Sequence, residues 1–182
     1  MRSSRAAVAV IVMDMLNPYD HDDAEALTAR VEHIVAPLTG LIEDAGRRDD
    51  VDLIFVNDIQ GDFSATRDDL VRRALAGKRP DLVEPFVPPE GGDFVPKVRH
   101  SVFYGTPLEY ALHTRGIDTV VLAGQVTEQC VLYSALDAYV REFSVRVAVD
   151  GVAAIHEDLG EAALRMMERN MRATLLPAAE CL

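Results

Sequence analysis

Basic residues are scarce in this chain, cysteines scarcer, and long apolar runs absent. Only 18 Lys and Arg stand against 30 Asp and Glu in 182 residues, a formal charge of −12. A field of that sign repels nucleic-acid phosphates and anionic lipid headgroups, so neither nucleic acid nor a membrane is an expected partner. The longest early apolar stretch, Ala6 to Met13, has eight residues and ends at Asp14. A bilayer span needs about 20. Arg2 and Arg5 precede the stretch but no small-residue cleavage site follows it, which fits a buried strand better than a secretion signal. Two cysteines make no disulfide framework. Cys130 and Cys181 are expected to be free thiols in a reducing cytoplasm. The five histidines (21, 33, 100, 113 and 156) include no close pair, so neither a metal site nor another cofactor is expected.

What the chain does have is core-forming material, 49% of it hydrophobic, with no repeat, linker or composition break. One domain over residues 1–182 is the expectation. Apolar runs rich in β-branched residues (Ala7–Met13, Val51–Val56, Phe94–Val98, Thr119–Ala123, Val145–Val149 and a short Ala173–Leu176) alternate with helical segments. Leu27, Val31, Ile34, Val35, Leu38, Leu41, Ile42 and Ala45 form one apolar stripe, with Pro37 expected to kink or divide it. Further helices are expected near Arg67–Ala76, from Thr106, over Glu128–Glu142 and over Glu157–Met171. Thr106, Pro107 and Glu109 read as N-cap, first helical residue and reciprocal capping partner. Alternation of this kind implies a three-layer α-β-α fold, with a mostly parallel, doubly wound, Rossmann-like sheet of about six strands.

In such sheets ligands bind beyond the carboxyl ends of the strands. Asp14, Asn57 and Asp58, Lys97, and the segment Gly124–Cys130 each follow a run, so topology brings an acid, a base and a thiol to one edge. Thr127 reads as the N-cap of the following helix, which puts Cys130 in its first turn. Free N–H groups and the positive end of the helix dipole there favour thiolate and could hold an oxyanion. Taken singly, each residue has a plainer explanation. Cys130 could be a small buried hydrophobe, Asp14 a turn residue and Lys97 a surface lysine. A carboxylate directly after seven apolar residues is nonetheless costly to bury without a partner.

Three segments carry a family resemblance. Gly124-Gln125-Val126-Thr127-Glu128-Gln129-Cys130-Val131 resembles the nucleophile motif of the isochorismatase-like cysteine hydrolases. Val10-Ile11-Val12-Met13-Asp14-Met15-Leu16-Asn17 is similar to that family's first-strand motif, and Pro96 to Thr106 to the stretch with its lysine. The resemblance implies Cys130 as nucleophile, Asp14 as base and later acid, and Lys97 as the group that orients and polarises them. It also implies a cis Gln125–Val126 peptide, with the Val126 and Cys130 N–H groups as oxyanion hole, and a homo-oligomer (dimer or tetramer). The Met-rich segment Met166, Met167 and Met171 reads as core or as an oligomer surface.

The implied activity is hydrolysis of an amide, ureido or carbamoyl C–N bond in a small molecule. A vinyl-ether hydrolase using Asp14 alone, or a non-catalytic scaffold, is the alternative. Asp58 has no histidines after it where the nicotinamidase branch holds a metal, and Leu16 stands where many relatives have glutamine. Leu16, Asn17, Phe103, Tyr104 and Tyr133 are candidate substrate-binding residues. His100 reads as structural, although it or Arg99 could reach an anionic group.

Overall fold

The computed structural model describes residues 7–182; Arg2, Arg5 and Ala6, weighed above as part of a secretion signal, lie outside them. Six strands pair throughout in parallel, in the order β3-β2-β1-β4-β5-β6. They are β1 (Ala7–Met13), β2 (Val51–Asp58), β3 (Asp93–Lys97), β4 (Ile117–Gln125), β5 (Ser144–Ala153) and β6 (Thr174–Leu176). Central parallel strands are covered on both faces and therefore read as unbroken apolar runs. In β1, alternate residues serve opposite cores. Ala9, Ile11 and Met13 face one cluster with Val120, Leu122, Val131 and Met167. Val10 and Val12 face another with Leu27, Val31, Leu38 and Leu41.

Helix α1 (Ala24–Gly46) packs on the second face, and α2 (Arg67–Leu75) adds Leu70 and Ala74 to the same cluster. Helices α3 (Leu108–Arg115), α4 (Leu132–Val140) and α5 (Glu157–Met171) contribute to the first. Pro37 does not divide α1, which runs unbroken through it. The carbonyl orphaned by the missing N–H belongs to His33, an exposed residue, so water can satisfy it.

Two expected caps differ. Pro107 rather than Thr106 is the N-cap of α3, which starts at Leu108. Thr106 accepts the Leu108 N–H at 3.3 Å, and Glu109 pairs with Arg141 at 2.8 Å instead of closing a box. A reciprocal box forms instead at Thr66 and Asp69, ahead of α2. The segment after β4 also departs from expectation. Thr127–Val131 is a single wide π-turn, with Val126 rather than Thr127 at its N-cap, and α4 begins only at Leu132. The Val131 N–H reaches the Val126 carbonyl at 3.1 Å, five residues back. Met167 and Met171 are buried in the core, whereas Met166 is exposed.

Candidate active site

The strand order reverses between β1 and β4, and the chain leaves both strands at that point in unusual backbone conformations. Asp14, directly after β1, has φ +57°, and Gly124, near the end of β4, has φ +111°. A Cβ on Gly124 would lie 2.2 Å from the Met13 carbonyl oxygen, so only glycine lets the two strand ends close up here. The Gln125–Val126 peptide is cis. The side chain of Gln125 donates to the Asp14 carbonyl at 2.6 Å and accepts from the Tyr19 hydroxyl at 3.4 Å. Asn57, at the end of β2, holds the backbone of Leu16 in both directions, accepting its N–H at 2.9 Å and donating to its carbonyl at 3.3 Å.

These ties surround one cluster of charge. Lys97, the last residue of β3, is only 1% exposed, yet its ammonium lies 2.9 Å from Asp14 Oδ2. It donates to Cys130 Sγ at 3.5 Å, and Asp58 Oδ2 is 3.7 Å away. Asp14 Oδ1 accepts the Asp58 N–H at 2.8 Å. The Asp14 carboxylate and the Val126 N–H both act electrostatically on the Cys130 thiol, the first against thiolate and the second for it. His100 Nδ1 lies 3.9 Å from that sulfur, its ring packed on Tyr133 at 5.4 Å.

Burial is the largest single influence on all three groups, and their mutual charges decide the outcome for Lys97. It pushes the Asp14 carboxyl up, against the opposing pull of Lys97 and of the hydrogen bonds it accepts. It pulls the Lys97 ammonium down, but Asp14, Cys130 and Asp58 more than restore it, and Lys97 sits above the ordinary lysine value. The Cys130 thiol is pushed up to about 12, first by burial and then by the Asp14 charge, with Lys97 opposing. A helix start at this position would favour thiolate. Sγ instead sits in a buried π-turn next to a carboxylate, surroundings that favour the thiol over the thiolate.

The cluster forms the floor of a cavity of about 390 Å³. Asp14, Lys97, Cys130, Val126, Leu16 and Asn17 all line it. Three candidate walls do not. Phe103 is 4% exposed and lies in the core, stacked on Phe143 at 5.8 Å with the Arg141 guanidinium over its ring at 5.2 Å. Tyr104 faces solvent, 61% exposed, and Tyr133 stands behind His100. The cavity instead gains Asp20, His21, Asp58, Gln60, His100 and Gln129. Their strand-end or loop placement was the one signal available for Asp58 and Gln60; His100 gave none beyond its closeness to Lys97. Among the described residues, no group of three or more His, Cys, Asp or Glu could hold a metal ion.

With this geometry in hand, the chain can be set beside known proteins. The isochorismatase domain family matches residues 8–180. The chain is 31% identical over 165 residues to an uncharacterized isochorismatase family protein of Bacillus subtilis, YaaI, covering 91% of each. It is 41% identical over 91 residues to the ureidoacrylate amidohydrolase RutB of Methylorubrum extorquens, a match that spans 48% of this chain and 36% of that one. The structure of N-carbamoylsarcosine amidase from Thermoplasma acidophilum superposes with a TM-score of 0.74 at 29% identity, over 96% of this chain and 98% of that one.

Proposed function

The chain belongs to the isochorismatase family and is a hydrolase, and we propose that it cleaves a C–N bond of a small amide, ureido or carbamoyl compound through a Cys130 thioester. One observation carries this reading: a buried thiol 3.5 Å from a buried ammonium that also pairs with a carboxylate at 2.9 Å, at the floor of an open cavity. Relatives named as amidohydrolases and an amidase support the bond type.

The resting thiol keeps its proton until a carbonyl is in place. Asp14, whose raised pKa makes it a stronger base than an ordinary carboxylate, then takes that proton as Sγ attacks the carbonyl carbon. Lys97 offsets the charge developing on sulfur, 3.5 Å away. The Val126 and Cys130 N–H groups hold the tetrahedral oxyanion. Asp14 returns the proton to the departing nitrogen as the C–N bond breaks, which leaves a thioester. Water, deprotonated by the same carboxylate, attacks the thioester carbon. The C–S bond breaks and the thiol recovers its proton. Two free thiols fit a reducing, cytoplasmic setting for this chemistry.

A screen of primary amides, ureides and carbamoyl compounds, read as released ammonia or amine, identifies the substrate class. With any hit, a brief quench should show an acyl adduct on the Cys130 peptide by mass spectrometry, and Cys130→Ser should lose nearly all turnover. A Cys130→Ser enzyme that retains a tenth of the wild-type rate would sink the covalent route.

A further inference from the structure

The cavity's polar lining is unevenly charged. Its carboxylates are Asp14, Asp20 and Asp58, and the lone lysine or arginine among its lining residues is Lys97. That ammonium is already committed to Asp14 at 2.9 Å, Cys130 at 3.5 Å and Asp58 at 3.7 Å. A substrate anion would have to draw that ammonium away from Asp14 or Cys130. Asp20 is tied outward to Lys78 at 2.7 Å in solvent. Asp58 is not tied away: its Oδ1 accepts the Gln60 N–H at 2.7 Å, and its side chain stays 36% exposed in the cavity. The remaining polar groups, on Asn17, Gln60, Gln129, His21 and His100, include no fixed cation. Arg79, the other basic residue near Lys78 in sequence, is held by Glu32 and Asp81. Exposed Arg99 is not among the lining residues.

A carboxylate taken from water into such a pocket loses hydration that neutral amide and imidazole donors replace less well than a cation does. Here it would meet Asp58. We propose that this cavity selects substrates whose non-reacting part is uncharged or cationic, and that Asp58 is the residue that turns carboxylates away. The proposal rests on Cys130 being the reactive thiol, and it narrows the substrate class of the same site.

Alkylation of Cys130 tests it without a known substrate. Iodoacetamide is neutral and iodoacetate anionic, and both deliver the same carbon to sulfur. Their rates at Cys130, read by peptide mass spectrometry at pH 8, are each divided by the rate with N-acetylcysteinamide in solution. The expected result is a normalised preference for iodoacetamide of roughly tenfold or more, as one charge a few ångströms from another produces in a partly buried site. The preference should narrow in high salt, and it should fall to about threefold or less in Asp58→Asn. Arg99→Met should leave it unchanged.

Equal or faster normalised reaction with iodoacetate overturns the proposal, and loss of that anion preference in Arg99→Met would assign carboxylate binding to Arg99. A wild-type preference untouched by both Asp58→Asn and salt removes Asp58 from the role. A Cys130 that neither reagent modifies even at about pH 10, where a thiol pushed up to about 12 is already partly ionised, brings down the covalent function along with this inference, whereas an anion-preferring Cys130 brings down the inference alone.

Discussion

Two of the cavities among the described residues are of similar size, about 390 Å³ at the β1/β4 switch point and about 310 Å³ between α1 and α5 beside the end of β5. Both are lined with acids, bases and apolar side chains, Arg30, His33, Asp150, Glu157 and Glu161 among them in the second. They differ in where their charge sits. In the first, Lys97 is 1% exposed and paired to a mostly buried Asp14. In the second, Arg30 and Glu157 pair at 2.8 Å, with 40% and 65% of their side chains in solvent. Water screens the second pair, and its charge does little beyond the surface. The first is shielded from solvent and lies against the Cys130 thiol. A cavity becomes a reaction site through buried charge, not through volume.

The largest effect that separates them is on turnover. Asp14→Asn should keep the fold and reduce hydrolysis by several orders of magnitude, as the loss of one member of a catalytic unit does. Glu157→Gln, the matching change in the second cavity, should leave the rate within about twofold. The check is kcat/KM for both variants on the same substrate. If Asp14→Asn keeps more than a tenth of the rate, the two cavities are chemically alike and the base role is wrong.

Stability should follow the same division, less steeply. Lys97→Met leaves Asp14 and Asp58 facing each other without their shared cation, and breaking a buried pair in this way costs about 3–5 kcal/mol. Arg30→Met should cost under about 1 kcal/mol, the usual worth of an exposed pair. Urea midpoints of the two variants against wild type decide between them. Equal midpoints would show that solvent reaches Lys97.

The same contrast between buried and exposed explains what could be read from sequence. The strands were legible because central parallel strands are apolar on both faces, so β1 and the middle of β4 stand out as Ala7–Met13 and Thr119–Ala123. Asp14, Lys97 and Cys130 were legible because each interrupts or follows such a run, where a polar residue is conspicuous. The π-turn at Thr127–Val131 was not, since its hydrogen bond to Val126 leaves no periodicity to detect. Phe103 was misplaced among the cavity walls because its partners Phe143 and Arg141 are distant in sequence. For His100 and Gln129 only the closing of loops over the strand ends decides that they line the cavity.

The smallest expected effect concerns the two thiols, which divide between the regions as the charges do. Burial raises both, Cys130 to about 12 and Cys181 to about 11. The next cause for Cys130 is Asp14, whereas for Cys181 it is Asp150. Asp14→Asn removes a negative charge that opposes thiolate and leaves Lys97, which favours it, in place. The thiol pKa of Cys130 must therefore fall. The pH profile of Cys130 alkylation should shift to lower pH by about a unit or more, while that of Cys181 stays where it was. Lys97→Met should move Cys130 the other way. A wild-type Cys130 that already titrates below 9 would mean that burial does not control the sulfur. The proton would then leave before substrate binds, and Asp14 would have no thiol to deprotonate in the first step.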